Sequence, residues 1–115
     1  MPQSRRNTLS RGKADTFIGF CVRAGKISLG SGAVDVLRKG VYLLVLSADA
    51  SENTQKLAVK YKNRLHCPLI ICKSEFDTVV NKPGCKIAAI RDKQLSKAIL
   101  DNLDDNYELY AGGNI

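Results

Sequence analysis

Tryptophan is absent from this 115-residue chain, phenylalanine and tyrosine number three and four, and there is one histidine. So few aromatics argue against a stacking platform for single-stranded nucleic acid. The lone histidine, His66, sits beside Pro68 at an expected helix-to-strand turn with no orienting partner in sequence. A catalytic base needs such a partner, so His66 reads as a structural or surface residue. No apolar run approaches the roughly 20 residues of a membrane helix, and "MPQSRRNTLSRGK" lacks the apolar segment of a signal peptide. The expected setting is cytoplasmic, without a membrane partner. Cys21, Cys67, Cys72 and Cys85 lack the paired C-x-x-C spacing of zinc sites and read as reduced, buried thiols. Neither a metal nor a cofactor is expected.

The C-terminal region lacks base. The last fifteen residues hold Asp101, Asp104, Asp105 and Glu108 with no Lys or Arg. The whole chain has 18 bases and 11 acids, so residues 1–100 carry 18 bases against 7 acids. A field of that sign attracts polyanions and suits nucleic acid, though it does not choose a fold. The length fits one domain. The expected division is a flexible basic arm over 1–12, a single domain over 13–103 and a mobile acidic tail over 104–115.

Apolar periodicity then supplies the elements. Ala14, Phe17, Ile18, Cys21 and Val22 recur at helical spacing, and Gly25 stops that helix. Ser31 is placed to cap a second helix containing Ala33, Val34 and Leu37, with Gly40 as its stop. "YLLVLS" (42–47), "PLIIC" (68–72) and "KIAAI" (86–90) read as buried strands. Between them, "SENTQKLAVKYKNRL" reads as a helix capped by Ser51, with Leu57, Ala58, Tyr61 and Leu65 inside. "SEFDTVV" predicts a short helix and "DKQLSKAILDNL" a final one capped by Asp92. Strands alternating with helices call for an α/β fold with both sheet faces covered.

Two nucleotide-binding patterns come near and fail. Gly19 stands one residue too far from Gly25–Lys26 for a Walker loop, and Ile27 occupies the place of the metal-binding hydroxyl. "GSGAVD" begins like a dinucleotide fingerprint, but Asp35 replaces its third glycine. Asp49 and Glu52 flank Ser51 after a strand, where they support a helix N-terminus. The expectation is a protein without catalysis.

"RAGKISLGSGAVDVLRKG" followed by "VYLLVLSADASENTQKLAVKYKNRLHCPLIIC" resembles the superfamily of kink-turn RNA binders that includes archaeal ribosomal protein L-seven-Ae. It is most similar to the small bacterial YlxQ-type members, and the match runs from Lys13 to Leu100. The resemblance implies a three-layer α/β/α sandwich on a four-stranded mixed sheet, one short strand lying near Lys26–Leu29. It also implies an RNA-binding edge built by the loop into the second helix together with "CKSE" and "NKPGC". Leu29 or Gly30 takes the family glycine's place. Asp35 stands where the archaeal pattern has lysine, and Asp77 where a glycine is usual.

The candidate RNA contacts are therefore Lys26, Gly30, Ser31 and Gly32 in the first loop, with Arg38 following. Lys73, Ser74, Lys82, Pro83 and Lys86 come from the other two loops. The lysines would neutralise phosphate, and the small residues would admit a backbone. The same glycines equally suit a tight strand-to-helix turn. Lys56, Lys60 and Arg64 read as a solvated helix face. The expected partner is structured RNA, ribosomal or other, bound by a monomer. The alternative is a protein-interaction module that kept the fold and lost kink-turn recognition.

Overall fold

The computed structural model describes residues 12–113. The expected arm residues Arg5, Arg6 and Arg11 lie outside them. Among the described residues, five helices and five strands form a mixed α/β fold. The helices are α1 (Lys13–Arg23), α2 (Ser31–Asp35), α3 (Glu52–Leu65), α4 (Phe76–Val79) and α5 (Lys93–Asp101). The strands are β1 (Ile27–Leu29), β2 (Leu43–Ser47), β3 (Leu69–Cys72), β4 (Ile87–Ile90) and β5 (Tyr107–Leu109). The sheet order is β1-β4-β2-β3-β5, with β2 and β3 parallel and the other pairs antiparallel.

Residue type explains most of this. All five residues of β2 are buried, and Leu43 to Leu46 alternate between two apolar clusters. Leu43 and Val45 pack with Ala14, Ile18 and Cys21 of α1, Phe76 of α4 and Ile99 of α5. Leu44 and Leu46 pack with Val34 of α2 and with Ala58, Tyr61 and Leu65 of α3. A strand with four consecutive apolar residues has a buried face on each side, as its sequence requires. Two of the expected caps are present: Ser51 Oγ accepts from the Thr54 N–H at 3.2 Å and Asp92 Oδ1 from the Leu95 N–H at 2.8 Å. His66 ends α3 in the left-handed region at φ 54°, its N–H donating to the Lys62 carbonyl.

Three expectations are corrected. The sheet has five strands rather than four, because the segment read as an acidic tail supplies β5. The Lys73 N–H donates to the Asn106 carbonyl and the Tyr110 N–H to the Leu69 carbonyl, both at 2.8 Å. Tyr107 is buried in the α1 cluster, and its hydroxyl donates to Asp15 at the start of α1.

The second helix is shorter than its apolar spacing implied, ending at Asp35 instead of running to Gly40. Arg64 Nη2 donates to the Asp35 and Leu37 carbonyls at 2.9 and 3.0 Å, and Arg38 Nη1 to the same two at 2.8 and 3.2 Å. These guanidiniums take carbonyls that another turn of helix would have used. Nor does Ser31 cap α2. Gly30 is the cap residue at φ 93°, a region that favours glycine, and no side chain bonds the free N–H groups.

Candidate nucleic-acid interface

Strand direction divides the described residues into two edges. β1, β2 and β3 run one way, while β4 and β5 run the other. One edge, called here the α2 edge, therefore gathers the loops after β1, β2 and β3 and those before β4 and β5. The opposite edge gathers the loops before β1, β2 and β3 and the turn after β4.

The α2 edge collects most of the expected contacts. The Gly30 N–H donates to the Ile87 carbonyl at 2.8 Å, which seats Gly30, Ser31 and Gly32 beside the loop carrying Lys82, Pro83 and Lys86. Ser31, Gly32 and Ala33 are exposed, and a side chain at Gly32 would meet nothing within 4 Å. As the first residues of a helix, their N–H groups have no intrahelical acceptor. Lys73 and Ser74 follow β3 on the same edge, with Ser74 Oγ donating to Asn106 Oδ1 at 2.9 Å. Lys73 also borders a recess of about 280 Å³ beside β5, lined further by Ala48, Ile71 and Tyr110.

Two expected contacts lie elsewhere. Lys26 precedes β1 at the opposite edge, where its carbonyl accepts from the Arg91 N–H at 2.8 Å. Four residues of extended chain put it about 13 Å from Gly30, so it does not stand beside the Ser31 amide as expected. Arg38 follows α2 near the end of α3, turned to the Asp35 carbonyl. Lys86 is on the α2 edge but engaged: its Nζ donates to Asp49 Oδ1 and Oδ2 at 2.9 and 3.0 Å. The Ser47 hydroxyl at 2.5 Å, then Lys86, hold the Asp49 carboxyl below its ordinary value. Asp49 in turn raises Lys86. That pair is one of two ion pairs among the described residues.

The two carboxylates at odds with the family pattern have structural work. Asp35 Oδ1 accepts the Tyr61 hydroxyl at 3.0 Å, which gives that buried ring a polar partner. Burial first, then Asp35, raises the Tyr61 hydroxyl's pKa. Asp77 Oδ2 accepts the Gly84 N–H at 3.3 Å and its carbonyl the Lys82 N–H at 2.9 Å, tying the 82–84 turn to α4. Arg64, expected on a solvated face, instead stacks 5.0 Å from the Tyr61 ring centroid while clamping α2.

Charge is segregated between the edges. Lys13, Lys56, Lys73, Lys82, Lys86 and Lys97 share the α2 edge and the helix turns next to it with Asp15, Asp49, Glu52, Glu75, Asp77, Asp101, Asp104 and Asp105. The opposite edge holds Arg23, Lys26, Arg38, Lys39, Lys62, Arg64, Arg91 and Lys93 against Asp35 and Asp92. Composition could not show this, because it follows from which end of each helix meets which edge.

The four cysteines are buried and free, as expected. Burial pushes the Cys21 and Cys67 thiols from 9.0 up to about 11. Among the described residues no cluster of His, Cys, Asp or Glu could hold a metal ion, and no helix is long and apolar enough to cross a membrane.

The chain matches no protein-family profile and no curated protein. It is similar in fold to the solved structure of a protein of unknown function from Bacillus halodurans, with a TM-score of 0.67 and 20% identity. That similarity covers 79% of this chain and 96% of the other. It speaks to the fold alone.

Proposed function

We propose that this protein binds structured RNA without catalysis, as a monomer with an α/β/α layering of the kink-turn-binding superfamily. The observation that carries this reading is the meeting of three loops on the α2 edge. Ser31 and Gly32 lie open, next to half-buried Gly30, beside the 82–86 loop, and Lys73 and Ser74 stand farther along the same edge, beyond β4 and β2. Small residues with free N–H groups let a phosphate or a splayed nucleotide approach the backbone closely. Lys82 borders that approach and Lys73 adds a cation farther along the edge, while exposed Pro83 offers a rigid apolar rest for an extruded base. Shape and backbone contact dominate here, since the local carboxylates leave little attraction at long range.

Those carboxylates favour one rival, a protein partner docked on the same edge. The test compares a kink-turn RNA with a plain duplex of equal length across a salt series. RNA recognition gives tighter binding to the kink-turn, lost in Ser31→Glu, with a log–log salt slope of roughly −0.7 to −0.9 per phosphate neutralised. Binding to neither RNA at physiological salt would remove this reading and leave the protein-partner one.

A further inference from the structure

We infer that the edge opposite α2 is a separate RNA-binding surface that grips phosphates with cations and stacks an unpaired base on Tyr42. The placement follows from the ladder. The Arg91 N–H donates to the Lys26 carbonyl at 2.8 Å and the Tyr42 N–H to the Ile90 carbonyl at 2.9 Å. Lys26, Arg91 and Tyr42 are therefore neighbours on three adjacent strands, about 5 Å apart from strand to strand. Arg38 and Lys39 stand in the turn leading to Tyr42, and Arg23 ends α1 just before Lys26.

Two independent features mark this surface. First, none of these cations joins an ion pair among the described residues. Arg91 is held in place by neutral groups: its Nε donates to Ser28 Oγ at 3.1 Å and its Nη2 to the Gly25 carbonyl at 2.7 Å. A guanidinium so fixed keeps its full charge and loses little freedom on meeting a phosphate. Second, the exposed aromatics are here. Phe20 and Tyr42 are 42% and 40% exposed, whereas Tyr61, Phe76 and Tyr107 are buried. Arg23 lies 4.9 Å over the Phe20 ring at the end of α1, on the layer covering the other face of the sheet. Cations beside an aromatic ring are what an unstacked base and its phosphates require.

The surface rests on the RNA reading above for its class of ligand, not for its location. Its test is fluorescence anisotropy with a single-stranded RNA 12-mer and a duplex of equal length, over a salt series. The joint variant Lys26→Glu/Lys39→Glu, both exposed, is expected to lose at least tenfold in affinity for the single strand. Its salt slope should flatten by about 1.4, two phosphates at roughly 0.7 each. Tyr42→Leu is expected to weaken the single strand about tenfold while sparing the duplex, and Tyr42→Phe to bind as the parent does. Ser31→Glu separates the two readings. If it is silent towards both RNAs and a kink-turn while Lys26→Glu/Lys39→Glu is not, the α2-edge reading fails and this one stands. If Lys26→Glu/Lys39→Glu binds the single strand like the parent, or Tyr42→Leu and Tyr42→Phe behave alike, the inference is overturned. Binding to vesicles with one-third anionic lipid but to no RNA would overturn it in favour of a membrane surface.

Discussion

Replacing Tyr107 tests whether β5 belongs to the fold. Its side chain is 4% exposed and packs in the cluster under α1, and its hydroxyl donates to Asp15. An aromatic side chain withdraws roughly 150–250 Å² from water, or about 4–6 kcal/mol at ~25 cal/mol per Å² as an upper bound. Aromatic-to-alanine changes in cores cost about 3–5 kcal/mol, so about 4 kcal/mol is expected for Tyr107→Ala. Unfolding entropy of ~2.1 cal/mol/K per residue over 115 residues converts that loss into a fall in Tm of about 17 °C. Tyr107→Phe keeps the ring and drops only the bond to a part-exposed carboxylate, at about 1–2 kcal/mol. Urea unfolding followed by circular dichroism measures both variants, with an unchanged slope expected. A Tyr107→Ala protein within about 0.5 kcal/mol of the parent would mean that β5 does not dock and that 104–113 behaves as a tail.

Asp35→Lys restores the residue type of the archaeal pattern, yet it deprives the buried Tyr61 hydroxyl of its acceptor. A loss of about 1 kcal/mol in the same urea assay is expected, with no gain in kink-turn affinity. Asp49→Asn releases Lys86 from its carboxylate and adds one positive charge to the α2 edge. Kink-turn affinity should rise about two- to fivefold at low salt, an increase that high salt removes. The Cys21 and Cys67 thiols are raised from 9.0 to about 11 in the folded state. Their stabilising contribution is then complete below pH 9 and is lost as pH rises through 11. A chromogenic aromatic disulfide at pH 8 should accordingly report all four thiols in urea and none promptly in the native protein.

Much of the core was legible because its signals are local. "YLLVLS" and "PLIIC" are short runs, apolar at nearly every position, that read as strands covered on both sides, while Ser51 and Asp92 cap through bonds to residues three places on. The edges were less legible for a physical reason. β5 is three residues long with an exposed Glu108, and its acidic flanks gave "DDNYELY" the composition of a tail. Only Tyr107, an aromatic two positions before Leu109, hinted at a buried face. The early end of α2 depends on Arg64, which lies 29 residues from the Asp35 carbonyl it binds. Lys26 seemed adjacent to Ser31 because they are five positions apart, but an extended strand sends them to opposite edges. Strand direction, which sorts the charges, is a property of the assembled sheet.

The bond from Tyr107 to Asp15 spans 92 positions of sequence. During synthesis α1 emerges early, but the cluster beneath it stays without one wall until residue 107 has left the ribosome. Native closure of that half of the core is therefore a late event, set by translation as much as by local preference. Nascent chains halted ahead of Tyr107 should leave the α1 layer open to protease.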